Sequence, residues 1–160
     1  MNHNALRKEF QGLLKKHLIT TVGISKKSLP QQKRTVKALW DTGATFSAIT
    51  HKMADELKIS PDDYSGRSEV KGIGGEIFEV DVARVIIKLP TMETEVETEI
   101  SVKIIDFSGA DLLIGMDNIC RGDLSISNGA RKTMFTFAVP PFENKVDLYK
   151  KAIAENRRSR

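Results

Sequence analysis

The chain has 160 residues, 40% of them hydrophobic and 29% charged, with a single cysteine and a formal net charge of +4. That length supports one ordinary domain with its own core, without disulfides or a structural metal. Every apolar run is broken within about ten residues, short of the ~20 that cross a bilayer, and no charged stretch leads into an apolar signal-like segment, so a cytoplasmic chain is expected. Charge is unevenly divided: residues 1–37 carry +8, residues 38–140 carry −7 and residues 141–160 carry +3. Basic ends can meet nucleic acid or a membrane surface through phosphates, but no aromatics are interleaved as stacking platforms. A solvated basic face or tail is therefore the preferred reading.

In chain order, Leu6, Phe10, Leu13, Leu14 and Leu18 recur at helical spacing with Arg7, Lys8, Lys15 and Lys16 between them, which predicts an amphipathic helical extension over 1–18. A β-branched run over 18–24, a loop marked by Pro30 and a second run over 35–40 predict a hairpin. Met53, Ala54 and Leu57 predict a short helix over 51–59, stopped by Ser60-Pro61 because the residue before proline disfavours the helical region. Over 77–89 the apolar phase runs Phe78, Val80, Val82 and then Val85, Ile87, Leu89, which predicts a bulge near Arg84 and a curved sheet. Over 92–104 the even positions are apolar or Thr while Glu93, Glu95, Glu97 and Glu99 fill the odd ones, a strand with one wet face. Carboxylates spaced ~7 Å along such a strand are expected to be solvated rather than metal-bound.

Residues 112–114 read as a short strand ending at Gly115, followed by a brief helical turn capped by Asp117, running through Arg121 and stopped by Gly122. Asn128-Gly129 between 124–127 and 132–139 signals another hairpin. Asn144 and Asp147, with Val146, Tyr149 and Ile153 at helical spacing, predict a basic helical tail over 142–160. The body over 19–141 is thus mostly β, with one short internal helix and a helix at each end.

Three segments carry chemistry. Asp41-Thr42-Gly43-Ala44 places a carboxylate at a strand-to-turn junction, where Thr42 can brace the turn and Gly43 permits close backbone approach. Alone it reads as an ordinary Asx turn. Gly72-Ile73-Gly74-Gly75 lies between strand-like segments, so it opens a strand rather than a helix and lacks the Lys-Ser/Thr of a phosphate loop; a mobile hairpin lid fits better. The third is Leu112-Leu113-Ile114-Gly115-Met116-Asp117.

In this order the three segments resemble a retropepsin-like aspartic protease over roughly residues 19–140, in a form nearer to cellular and bacterial members than to viral ones. The resemblance implies a closed, curved β-barrel with Asp41 as the catalytic acid in the turn Thr42, Gly43, Ala44. It implies a substrate-covering flap at Gly72, Ile73, Gly74 and Gly75, and support of the turn by Ile114, Gly115 and Asp117. Viral members carry an Asp after the Ala and an Arg after the late Gly; here Thr45 and Met116 stand there. The pairing that these residues make in viral members, with its dimer contacts and substrate-backbone binding, is therefore not implied here, and dimerisation through terminal strands is not assumed because residues 1–18 and 142–160 lie outside the shared region.

Aspartic proteolysis needs two carboxylates sharing a proton around a water. The chain has one Asp-Thr-Gly, and Asp123 lacks both the Thr-Gly and the apolar lead-in, so the implied enzyme is a homodimer with Asp41 from each chain, acting on an extended peptide without metal or cofactor. The alternative is a non-catalytic dimer of the same fold that binds peptides or serves as a scaffold. His51 and Asp55 read as a surface pair, Cys120 as a buried small side chain, and Arg121-Gly122-Asp123 as a helix stop. The polar, basic linker over 25–34 is the expected place of self-cleavage.

Overall fold

The computed structural model describes residues 3–72, 74–91 and 94–158, and period-2 alternation governs most of them. The strands are β1 (Asn4–Glu9), β2 (Leu18–Lys26), β3 (Arg34–Trp40), β4 (Ala48–Ile49), β5 (Tyr64–Lys71), β6 (Ile77–Pro90), β7 (Glu95–Ile104), β8 (Leu112–Ile114), β9 (Asp123–Ser127) and β10 (Met134–Val139). Helix α1 (His51–Glu56) follows β4, α2 (Met116–Ile119) follows β8 and α3 (Leu148–Arg158) follows β10.

Six strands close into a barrel in the order β2-β3-β8-β4-β7-β6, with β6 returning to pair with β2. Closure removes the free edges that a β-rich chain otherwise exposes. The pairs β3–β8 and β4–β7 are parallel and the other barrel pairs antiparallel. Inward residues such as Val22, Ile24, Val85, Val102, Leu112 and Ile114 are buried and form the core. On the outer face the glutamates of β7 meet cations of β6 and of the β2–β3 turn: Glu99 takes Lys27 at 2.9 Å and Arg84 at 3.3 Å, Glu97 takes Lys88 and Glu95 takes Lys33. The hydrogen-bonded Lys27 ammonium holds the Glu99 carboxyl below its ordinary range.

A second sheet, ordered β1-β10-β9, lies beyond the barrel. Here the expected N-terminal helix is corrected. Residues 4–9 run antiparallel to β10, with Leu6 opposite Phe137, and residues beyond them are wired to Thr133. Phe10 N donates to Thr133 O, Thr133 N to Gly12 O, and Leu14 N to Thr133 Oγ1 at 2.8 Å. A ready partner strand satisfies the backbone and buries Leu6, which outweighs the helical spacing of the leucines. Trp40 ties the two sheets together: its ring centroid lies 5.0 Å from that of Phe135 and 4.9 Å from that of Phe137, and its indole N–H donates to the buried Thr20 hydroxyl at 2.8 Å.

The β2–β3 hairpin, the internal helix and the β9–β10 hairpin form where the sequence places them, while the C-terminal helix, expected over 142–160, begins only at Leu148, where Asp147 Oδ1 accepts from Lys150 N at 3.1 Å. Helix α1 is capped by the Thr50 hydroxyl, which accepts from Met53 N at 3.1 Å, and ends where Lys58 takes a φ of 56°. The irregular pairing expected near Arg84 falls instead on the partner strand, between Tyr64 and Gly66 of β5 opposite Ala83, while β6 and β7 pair without interruption. The phase change in β6 comes from the two environments it crosses, the β5 hairpin and then the barrel wall. The linker over 27–33 is a compact turn, with Leu29 N on Lys26 O and Gln32 N on Leu29 O. Helix α3 has no buried residue. Among the described residues no helix is long and apolar enough to cross a membrane.

One ion pair anchors the segment after α1. Asp63 receives Lys26 Nζ at 2.6 Å together with Ser60 N and Ser60 Oγ, each at 2.9 Å. Burial alone would raise the Asp63 carboxyl, but Lys26 and the Ser60 donors outweigh it and hold it below its ordinary range. A carboxyl lowered in the folded state contributes stability above its unfolded value of about 4, and that contribution is lost as pH falls through the folded value. Asp63→Asn should therefore lower Tm by about 3 °C at pH 6 and by progressively less below pH 4, as read by thermal scans of both proteins across that range.

Candidate active site

Strand β3 delivers Asp41. Parallel pairing of Trp40 with Ile114 brings β8 alongside, and Asp41 N donates to Ile114 O at 3.0 Å, so the turn begins against the strand it rests on. Gly43 N donates to Asp41 Oδ1 at 2.8 Å and Ala44 N to Asp41 O at 3.2 Å, which closes the turn on its own carboxylate. Asp41 is half-buried while Thr42 and Gly43 are exposed. The carboxylate is thus fixed by its backbone yet open to a ligand.

Behind the turn, residues 114–118 form a latch. A Cβ on Gly115 would lie 2.4 Å from Phe46 O and 3.0 Å from Ala44 O, so only glycine admits this approach. Met116 N then reaches Ala44 O at 2.8 Å. At the centre sits Ser47, fully buried: its hydroxyl donates to Asp117 Oδ1 at 2.8 Å and accepts from Gly115 N at 3.0 Å and Asn118 Nδ2 at 2.8 Å. The other Asp117 oxygen accepts from Ser47 N at 3.1 Å. Arg121 donates to Asn118 Oδ1 at 3.3 Å and to Glu99 O at 3.2 Å, tying the latch to the barrel.

Asp117 is therefore not the helix cap that its position suggests. Gly115 is the N-cap of α2, and the Asp117 carboxylate is spent on Ser47. Sequence reasoning missed Ser47, Asn118 and Arg121; the available signal was a lone hydroxyl between apolar neighbours, Phe46 and Ala48, in a segment bound for the core. Every lone pair and proton of that hydroxyl is used, and its removal orphans the buried Gly115 N and Asn118 Nδ2 and takes a donor from the Asp117 carboxylate. Ser47→Ala is expected to cost about 2–3 kcal/mol of unfolding free energy, measured as a lowered midpoint in urea with an unchanged slope.

The glycine-tipped segment is a hairpin between β5 and β6, with Lys71 opposite Ile77, Gly72 N on Glu76 O at 2.8 Å and Gly75 N on Gly72 O at 2.9 Å. Gly75 has a φ of 86°, a value that suits glycine. Gly74 has open space around it, and Ile73 lies outside the described residues.

The remaining candidates are dispersed. Asp123 opens β9 and accepts from Phe142 N at 2.7 Å. His51 pairs with Asp106 at 3.2 Å rather than with Asp55, and its contacts hold the Asp106 carboxyl below its ordinary range. Cys120, expected inside, is exposed at the C-cap of α2. Among the described residues no three His, Cys, Asp or Glu side chains are grouped to hold a metal. Asp41 and Thr42 line an open cleft with Leu14, Leu18, Leu39 and Ile126.

No curated protein matches the sequence. Among solved structures, the chain is similar to a retropepsin-like aspartic protease from Rickettsia conorii, with 12% identity over 86% of this chain and 95% of that one and a TM-score of 0.48. It is similar to the EIAV protease in complex with the inhibitor HBY-793, with 27% identity over 65% of this chain and 86% of that one and a TM-score of 0.45. The retroviral protease-like domain of Ddi1 from Leishmania major matches at 18% identity over 69% of this chain and 79% of that one, with a TM-score of 0.39. The family model described as "gag-polyprotein putative aspartyl protease" matches residues 30–121, a span that holds the Asp41 turn, the glycine hairpin and the latch. On that match the chain belongs to the retropepsin-like aspartic protease family.

Proposed function

We propose that the protein is an aspartic endopeptidase that acts as a homodimer, Asp41 of each protomer supplying one carboxylate at the two-fold axis. The observation that carries this reading is the latched turn: a half-exposed carboxylate, bonded to its own Gly43 amide, on a loop held rigidly from behind by a fully satisfied buried hydroxyl. Such pre-organisation serves a group that must meet a reacting atom within a few tenths of an ångström. Two like charges at ~3 Å cannot both ionise, so the facing pair shares one proton. One carboxylate takes a proton from the attacking water; the other, protonated, donates to the carbonyl oxygen as negative charge develops there, and a proton then passes to the leaving nitrogen. The glycine hairpin would close over the extended peptide and offer backbone groups to it. Thr42 would bond across the axis and hold the two turns together.

In this reading residues 19–141 are the peptidase domain, with residues 1–18 and 142–160 as its extensions, and the monomer is inactive. A cytoplasmic location belongs to the same proposal. Self-cleavage over 25–34 would require the hydrogen-bonded β2–β3 turn to open first, since a protease takes its substrate as an extended strand. The deciding experiment is mass spectrometry of new peptide ends from a complex peptide mixture, with protein shown to be dimeric, between about pH 4 and pH 7. Cleavage by the parent and not by Asp41→Asn supports the peptidase. Absence of cleavage from a proven dimer moves the reading to a peptide-binding module.

A further inference from the structure

The cations on β6 are matched by carboxylates: Arg84 pairs with Glu99, and Lys88 with Glu97. Lys103, the one cation of β7, stands differently. Its ammonium lies 4.0 Å from the centroid of the Phe46 ring and donates to the carbonyl oxygen of Glu69 at 3.3 Å, and no ion pair involves it among the described residues. Phe46 belongs to the loop that carries Asp41, and Glu69 to β5, the first strand of the glycine hairpin. One ammonium therefore joins the Asp41 loop to the first strand of the hairpin, the two segments that the peptidase reading places on either side of an extended substrate.

Its position is set by the barrel. Lys103 N donates to Ser47 O at 3.0 Å, and its backbone sits between Ala48 of β4 and Val82 of β6. The side chain is only half-buried. An ammonium carries three donors, and the Glu69 carbonyl occupies one. The aromatic face attracts the charge but accepts no second conventional hydrogen bond. A partly desolvated ammonium whose other donors meet no acceptor among the described residues favours a carboxylate and rejects another cation.

We propose that Phe46 and Lys103 form a specificity subsite for an acidic substrate side chain, its carboxylate on the Lys103 ammonium and its methylene stem against the Phe46 ring. The proposal rests on the peptidase reading above and adds a substrate class to it. Two-fold symmetry gives each dimer two such subsites, so the acidic preference should recur on both sides of the scissile bond at equivalent distances.

The test is the sequence preference of cleaved peptides in a proteome-derived library, followed by kcat/KM on matched peptides carrying Glu or Gln at the enriched position. The parent enzyme is expected to favour Glu about five- to ten-fold. Lys103→Gln, which keeps a donor for Glu69 O, should bring the ratio near unity, and Lys103→Glu should invert it toward Lys. No acidic preference in the parent, or the same preference in Lys103→Gln, overturns the subsite and leaves the peptidase standing. If the parent cleaves nothing, the peptidase reading fails, and equilibrium binding of the matched peptides decides the subsite. Tighter binding of the Glu peptide that Lys103→Gln abolishes supports it; equal binding overturns it.

Discussion

Asp41→Asn is expected to lower kcat/KM by about 10³-fold or more while leaving folding and association intact. The amide keeps an oxygen in the place of Asp41 Oδ1, so Gly43 N retains its acceptor and the turn its shape. What is lost is the capacity to exchange a proton. If the acids act as a pair, the variant also acts on its neighbour: a mixed dimer holds one carboxylate and is inactive. Equal amounts of parent and variant, allowed to exchange subunits, should then show about one quarter of the activity of the same total concentration of parent. A mixture that retains half would mean that each chain works alone, which is the result that sinks the shared dyad.

Gly115→Ala is expected to damage stability and the Asp41 turn together. The added methyl would lie 2.4 Å from Phe46 O and 2.5 Å from Phe46 C, both backbone atoms that no rotamer change can move. Either α2 or the Asp41 loop must retreat, breaking Gly115 N to Ser47 Oγ and Met116 N to Ala44 O. The cost is about 3 kcal/mol in denaturant unfolding, and activity per folded dimer should fall because the displaced segment is the one that carries Asp41. Gly74→Ala is the control: nothing lies within 4 Å of its would-be Cβ, and stability should change by less than about 0.5 kcal/mol. Equal stability of the two variants would refute the close-approach account.

These two glycines show how far the sequence can be read. The barrel was legible because alternation survives in isolation: Val96 to Ile104 shows its inward and outward faces in the letters themselves. The Asp41 turn, the hairpin and the 112–117 segment were legible as a set because short motifs in fixed order constrain one another. The N-terminal strand was not, since Leu6, Phe10, Leu13 and Leu14 satisfy helical spacing and the strand that overrides it, β10, lies some 130 residues away. Gly122 reads as a helix stop, but its necessity comes from Ala138 O, 2.3 Å from where a Cβ would sit. The Ser47 hub escaped for the same reason. A hydroxyl's partners are a property of the folded neighbourhood, and Asp117 and Asn118 lie seventy residues downstream.

The long reach of these contacts governs when the Asp41 turn can take its folded shape. A ribosome adds residues from the N-terminus, so the Asp41 loop emerges well before the chain that must hold it. Until residues 114–118 have been made, Ser47 has no Asp117, Ala44 O has no Met116 N, and the turn has nothing behind it. Strand β1 waits longer still, for Val139, its final partner in the register. Loop closure over such separations is slow and comes late in folding. A nascent chain therefore carries Asp41 on an unbraced turn until residues 114–118 have followed it, and it lacks its second sheet until β10 has been made.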